Sequence, residues 1–308
     1  MRVAGIDCGT NSIRLLIADL DAEGQLVDVL RTMRIVRLGQ GVDATGAFAP
    51  EALERTFAAT REYKKLCDEH QVQAIRFAAT SAARDASNRE LFSAQITKIL
   101  GVAPEVISGE EEASLSFTGA ASVRAGQSGK SLVIDLGGGS TEFVLGDETG
   151  PLAAKSLDMG CVRVTERFHQ AGLRSDAALD FMDSTLETLT GAVDVSQVDA
   201  VIMVAGTFTT LTAQALGLKA YESEKIHGAQ LSFAQMRQAT DSMLSYTREE
   251  RASLGFMHPG RVDVIQAGAA IVQRILHYLE KTSANREMLL IASEHDILDG
   301  IAASAAVA

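Results

Sequence analysis

Apolar residues along this chain fall into two alternating rhythms. Short unbroken apolar runs end in glycine or polar turns, as strands buried on both faces do. Such runs cover residues 2–7, 13–20, 73–80, 104–108, 131–135, 141–146, 152–157, 198–206 and 288–293. Between them lie stretches with helical spacing. Pro50 opens one whose apolar face is Leu53, Phe57, Thr60, Tyr63 and Cys67. Further helices are predicted over 108–123, 161–170 and 175–191, after the glycine turn at 206, from Ser232, after the Pro259–Gly260 turn, and at the end of the chain. Strands alternating with helices imply an α/β protein.

The pattern also repeats. "VAGIDCGTNSIRLLIAD" (3–19) lies over "SLVIDLGGGSTEFVLGD" (131–147) at a fixed offset, matching Asp7 with Asp135, Gly9 with Gly137 and Ser12 with Ser140. Two copies of apolar-apolar-D-x-G-x-x-S, each opening a half, indicate a duplicated domain. The polar stretch "RAGQSGKS" (124–131) reads as the link. Its GKS is not a P-loop: the first glycine of that motif would fall on Arg124, and GKS precedes a strand instead of following one. The expected domains are 1–124 and 125–308, with the final helix a candidate to cross back onto the first.

Composition narrows the class. The chain has 308 residues, 46% hydrophobic and 22% charged, and a formal net charge of −12. Two ordinary cores fit in this length. The acidic surface disfavours nucleic acid, and no long apolar run suggests a membrane span. Asp7 interrupts the N-terminus too early for a secretory leader, and three scattered cysteines fit a reducing compartment, so a cytoplasmic location is expected. No histidine or cysteine spacing suggests zinc.

Candidate chemistry sits in "VIDLGGGSTEFVL" (133–145). A turn of glycine, serine and threonine presents several N–H groups on one side, and glycine admits phosphate oxygens close to the backbone. The adjoining carboxylate would repel phosphate unless a cation or water lay between them. Two such hairpins would bracket a phosphate–metal site. A plain tight hairpin is the alternative.

These residues resemble the exopolyphosphatase/guanosine pentaphosphate phosphohydrolase (Ppx/GppA) family. The resemblance rests on "GIDCGTNSIRLLIAD" (5–19), "RLGQGVD" (37–43), "ATSAARDASN" (79–88), "VISGEEEASLSFTGA" (106–120), "VIDLGGGSTEFV" (133–144), "DMGCVRVTE" (158–166), "VAGTFTTLTA" (204–213), "MHPGRVDVIQAG" (257–268) and "SEHDILDG" (293–300). It implies two RNase H-like domains of the actin/Hsp70/sugar kinase superfamily around a central cleft. It also implies hydrolysis of a terminal phosphoanhydride, in polyphosphate or pppGpp, with Mg²⁺ or another divalent cation such as Mn²⁺. The length suggests the short, two-domain form, and a homodimer is expected only through the resemblance.

The resemblance puts Glu112 where the family's catalytic glutamate lies, as general base for water. Ser108 and Glu111 spell a capping box, which gives Glu111 a structural duty, although spacing alone leaves it open as the base. Glu142 is implied to face the same water or metal. Asp135, Glu142 and Asp7 are the metal candidates, with turn-capping the alternative for Asp7. Phosphate-binding candidates are Thr10, Asn11, Ser12 and Arg14 in the first turn, and Gly137, Gly138, Gly139, Ser140 and Thr141 in the second. Arg84, expected at a helix N-terminus, and Gly206 and Thr207 complete the set. Arg163 and Arg261 are weaker candidates, the latter with a possible tie to Asp263. "SEHD" (293–296) reads as a helix start and not as a metal cluster. The cysteines beside glycine turns lack a neighbouring base for covalent catalysis.

Short-chain polyphosphate is the preferred substrate, because nothing in the sequence reads a guanine base and no long basic track exists. The alternatives are a pppGpp 5′-phosphohydrolase and a non-enzymatic pppGpp sensor. A sugar kinase of the same superfamily would need a sugar-binding insertion and an adenosine loop, and neither is found.

Overall fold

The computed structural model describes residues 1–21, 25–124, 129–283 and 288–306. Its strands are β1 (Arg2–Cys8), β2 (Ser12–Leu20), β3 (Leu26–Ile35), β4 (Ala74–Ala79), β5 (Glu105–Val106), β6 (Ser131–Leu136), β7 (Thr141–Asp147), β8 (Gly150–Leu157), β9 (Ala200–Val204), β10 (Gln230–Leu231) and β11 (Leu289–Ala292). The helices are α1 (Val42–Thr45), α2 (Pro50–Glu69), α3 (Ser81–Asp85), α4 (Arg89–Leu100), α5 (Gly109–Ala120), α6 (Cys161–Phe168) and α7 (Asp176–Glu187). They continue with α8 (Ala205–Ala215), α9 (Ser223–Ile226), α10 (Phe233–Ser245), α11 (Arg248–Ser253), α12 (Ile265–Thr282) and α13 (Ile297–Ser304). Contacts divide the chain into one unit of Met1–Gly119 with Ile297–Ala308, and a second of Ala120–Asp296. The division thus falls a few residues before the expected 124, and most of the expected link, residues 125–128, lies outside the described residues.

The first sheet runs β3-β2-β1-β4-β5 and the second β10-β11-β9-β6-β7-β8. Read from the other edge, the second begins β8-β7-β6-β9-β11, the same order as the first. In each unit a hairpin is followed by an antiparallel third strand, and the hairpin's first strand pairs in parallel with the strand after a crossover. The register repeats as well: Asp7 pairs with Arg14 as Asp135 pairs with Glu142. Two RNase H-like units with mixed sheets and helices result, as the resemblance implied.

The first sheet is buried on both faces, which explains its unbroken apolar strands. On one side Ala4, Ile6, Ile13 and Leu15 pack with Tyr63, Phe77, Phe92 and Ile96. Tyr63 keeps its hydroxyl satisfied by donating to the Ile13 carbonyl at 2.8 Å. On the other side Leu16 and Ala18 meet Leu298 and Ala302 of α13. The second core joins Leu132, Ile134, Phe143, Met203, Phe208, Leu211 and Ile271. Ser232 starts α10 with a full capping box, as its position predicts. No helix among the described residues is long and apolar enough to cross a membrane.

Several elements depart from the sequence reading. β3 is absent from it because an edge strand carrying Asp28, Arg31 and Arg34 shows no alternation. α4 is absent although Phe92, Ile96 and Leu100 recur every fourth residue and are all buried. β10, at two residues, gives no readable period, whereas β5 falls inside the strand expected over 104–108.

The final helix belongs to the first unit. Asp299 takes both terminal nitrogens of Arg31, at 2.6 and 3.2 Å, and Ser304 accepts from Arg76 at 2.7 Å. Gly300 lies against α5, where a β-carbon would stand 2.2 Å from the Leu115 carbonyl oxygen. Gly300→Ala should therefore push α13 off the unit and cost about 1–3 kcal/mol, read as a lower denaturant midpoint.

Candidate active site

Each hairpin turn disposes of its carbonyls in the same way. In the first, Gly9 N–H donates to the Ser12 carbonyl at 2.9 Å. The Thr10 carbonyl then accepts from Gly39 N–H, and the Asn11 carbonyl from Val36 and Arg37 N–H. In the second, Gly137 N–H donates to the Ser140 carbonyl at 3.0 Å. The Gly137 carbonyl accepts from Cys161 N–H, and the Gly138 carbonyl from Val162 and Arg163 N–H, at the start of α6. Arg163 Nε donates to the Gly139 carbonyl at 2.8 Å. Among the described residues no backbone carbonyl takes the N–H groups of Thr10, Asn11, Gly138 or Gly139. Amides that no backbone carbonyl takes are what a turn needs in order to hold an anion.

The three consecutive glycines are not there for left-handed backbone, since none of them has a positive φ. A type I′ hairpin, which needs that conformation, is excluded. Close approach is the reason for at least one neighbour: a β-carbon on Gly160 would lie 2.3–2.5 Å from the Gly138 and Gly139 backbone.

The cross-strand position beyond each turn decides the local charge. Opposed residues of an antiparallel pair share a face. In the first unit the pair is Asp7 and Arg14, with Arg14 Nε and Nη2 at 2.8 and 2.7 Å from one Asp7 oxygen. In the second the pair is Asp135 and Glu142, both buried, and Glu142 accepts from the Ser156 hydroxyl at 2.7 Å. Two adjacent, oxygen-only side chains fit a hard cation such as Mg²⁺, which takes one or two carboxylates and completes its shell with water and phosphate. No cluster of three or more His, Cys, Asp or Glu suited to a metal occurs among the described residues. Asp7 is better matched to Arg14 than to a metal.

Glu112 stands in the first turn of α5. Its Oε2 accepts from Arg84 Nη1 at 2.6 Å, and that nitrogen also donates to the Ile107 carbonyl at 3.1 Å. Burial pushes the carboxyl from its ordinary 4.5 up to about 7, against the opposing pull of Arg84; Asp7 raises it further, and a hydrogen bond from Thr80 lowers it. A carboxyl poised near neutrality suits a general base. Arg84 lies in the last turn of the five-residue α3, not at a helix N-terminus as the sequence suggested. Glu111 separates from Glu112 altogether. Its N–H donates to the Ser108 hydroxyl at 3.1 Å, the forward half of the capping box, while its carboxylate turns to Arg76 at 2.6 Å. Arg76 also holds Glu105, so Glu111 belongs to a structural ion-pair network.

The other candidates differ in exposure and partners. The Thr10 hydroxyl is withdrawn from solvent, with no partner among the described residues, and its methyl abuts Gly39. Thr141 is fully buried and donates to the Met159 carbonyl. Ser140 is buried too, whereas Asn11 and Ser12 keep partial exposure. Thr207 is buried against Gly268 and hydrogen-bonds the Cys161 thiol, and it stands in the first turn of α8, whose start at Val204 has no side-chain cap. Gly206 is needed because the Arg261 guanidinium lies directly over it. Arg261 Nη1 also reaches the Thr210 hydroxyl at 3.4 Å, while Arg248 engages Asp263. In "SEHD", Ser293 closes a turn onto the His295 backbone, and the His295 ring meets His227 edge-on. Thr80 and Arg76 were absent from the sequence reading. A threonine between a strand and a short helix carries no signal until the fold brings Glu112 against it.

The arrangement is that of a duplicated α/β protein with amide-lined anion turns and a buried carboxylate beside an arginine. Residues 16–305 match the Ppx/GppA phosphatase family. The chain belongs to that family. It is 46% identical over 321 aligned positions, covering 99% of this chain and 98% of the relative, to a protein named exopolyphosphatase 2 of Mycobacterium tuberculosis. It is 36% identical over 187 positions to a guanosine-5′-triphosphate,3′-diphosphate pyrophosphatase of Vibrio vulnificus, covering 59% of this chain and 37% of that one. A solved exopolyphosphatase-like protein superposes with a TM-score of 0.92 at 44% identity, over 98% of this chain and 97% of the other.

Glu112 titration should also appear in stability. Between its ordinary value and about 7 the folded protein holds a proton that the unfolded chain has lost. Stability therefore falls as pH rises through that window and levels off above it. In Glu112→Gln this fall should be absent, as measured by urea denaturation from pH 5 to pH 8.

Proposed function

We propose that the protein is an exopolyphosphatase, which releases terminal orthophosphate from inorganic polyphosphate by direct attack of water. The observation that carries the reading is Glu112, a buried carboxyl lifted to about 7 beside Arg84. Support comes from the glycine-containing turn of each unit, which suits a phosphate group, and from the 46% identity to a protein named exopolyphosphatase 2.

In this mechanism the outward N–H groups of Thr10 and Asn11, together with Arg84, hold the terminal phosphoryl oxygens. Those of Gly138 and Gly139 hold phosphate oxygens at the second turn. Glu112 orients a water and takes its proton as the water oxygen bonds to the terminal phosphorus. The bridging P–O bond breaks in line, and the electron pair leaves with the shortened chain. Asp135 and Glu142 would hold Mg²⁺, which when bound offsets negative charge on phosphate oxygens at the second turn. Backbone amides fixed by the fold need no reorganisation as that charge develops.

Short chains are the favoured substrate, since an acidic protein has little to offer a long polyanion. Phosphate release with Mg²⁺ should be measured side by side from short polyphosphate, long polyphosphate, pppGpp and ATP. Short polyphosphate should be cleaved fastest, and Glu112→Gln should lose about 10²–10⁴-fold in kcat. Glu111→Gln should keep most of the rate. Cleavage of pppGpp alone would make the protein an alarmone phosphohydrolase. Binding of pppGpp without any cleavage would make it a sensor, and a fully active Glu112→Gln would remove Glu112 from the role of base.

A further inference from the structure

We propose that Arg84 is a substrate-operated latch on the general base. In the free protein its guanidinium occupies the Glu112 carboxylate, and a bound terminal phosphate draws it away. The inference rests on the reading of Glu112 as base and of Arg84 as phosphate ligand, and adds that the two duties exclude each other in time.

The geometry sets up the competition. Arg84 Nη1 lies 2.6 Å from Glu112 Oε2, so this oxygen is engaged by a charged donor. That donor lowers the carboxylate's affinity for a proton from water below what it would be without Arg84. The partners are unequally accessible: the Arg84 side chain is 23% exposed, that of Glu112 10%. An anion arriving from solvent thus meets the cation first. The second contact of the same nitrogen, with the Ile107 carbonyl at 3.1 Å, is neutral and weaker.

The surroundings of Glu112 decide what the loss of Arg84 does to the carboxylate. Asp7, from β1, places a second negative charge near it, itself held by Arg14 of β2. Thr80, at the end of β4, hydrogen-bonds the carboxylate and remains after Arg84 leaves. On its own helix, Glu111 is bound to Arg76. Arg84 is therefore the cation in contact with Glu112, and its transfer to phosphate leaves the carboxylate with a neutral donor, a nearby like charge and a greater affinity for protons. The exchange makes and breaks no covalent bond. It ties activation of water to the presence of substrate, because only a bound phosphate removes the latch.

A double-mutant cycle of binding tests this without turnover. The probe is a methylene-bridged triphosphate, which cannot be hydrolysed, titrated calorimetrically at pH 8.5 into wild type, Glu112→Gln, Arg84→Gln and the double variant. With a latch, Glu112→Gln spares the ligand the breaking of an ion pair and should bind about tenfold tighter than wild type. In the Arg84→Gln background the same substitution should change affinity by less than about twofold. An equal gain in both backgrounds would mean that Glu112 merely repels phosphate, and no gain in either would mean that Arg84 does not move; both overturn the latch. Should Glu112→Gln fail to fold, wild type and Arg84→Gln suffice. Lowering the pH from 8.5 to 6 protonates Glu112 and should tighten wild-type binding relative to Arg84→Gln; parallel pH profiles would overturn the latch. Phosphate release from tripolyphosphate by the same wild-type preparation reports separately on the exopolyphosphatase reading.

Discussion

The site rests on where the turn carbonyls go. A peptide plane has two polar ends, and fixing one fixes the other. In the first turn Val36, Arg37 and Gly39 hold the carbonyls of Thr10 and Asn11; in the second, the N-terminal amides of α6 and the Arg163 side chain hold those of residues 137–139. With these carbonyls secured, the amides that share their peptide planes, Asn11 in the first turn and Gly138 and Gly139 in the second, point away from the carbonyls' partners. Much of the neighbouring structure serves this end. Gly39 and Gly160 lack side chains where the turns press on them, and α6 begins where it does to cover the glycine turn.

On this common scaffold the two units have diverged in charge. Their hairpins share strand order, cross-strand register and the same turn-closing hydrogen bond. One register position separates them. Arg14 in the first unit completes an ion pair with Asp7, whereas Glu142 in the second adds a carboxylate beside Asp135. A duplicated fold thus supplies an arginine–carboxylate pair in one place and an oxygen-only pair in the other. The backbone sets the distance between the two side chains, and the sequence sets their sign.

Much of the scaffold was legible because it is local. The D-x-G repeat, the central strands and the α10 cap each lie within a dozen residues, and their periods and turn residues speak directly. β3 was hidden because an exposed edge with charges on both faces has no period. The site was legible in part. Glu112 stood out by its motif, but its partner Arg84 lies 28 positions away and Thr80 farther still. Spacing alone left Glu111 open beside Glu112, since neighbours on a helix share a motif. The fold separates them by about 100° of rotation, which sends one to a buried cage and the other to Arg76. The burial of the Thr10 and Thr141 hydroxyls was illegible for a related reason: a threonine in a phosphate-like turn looks the same whether its hydroxyl points out or in.

The last helix has a consequence for how the protein is made. α13 covers one face of the first sheet, with Ala302 against Gly5 and Leu298 against Leu16. Synthesis runs from the N-terminus, so β1 and β2 emerge hundreds of residues before their cover. The second unit, contiguous from Ala120 to Asp296, emerges whole in the interval. The half that leaves the ribosome first is thus the half completed last. Until residue 304 clears the exit tunnel, the first sheet carries an apolar face that a chaperone could recognise.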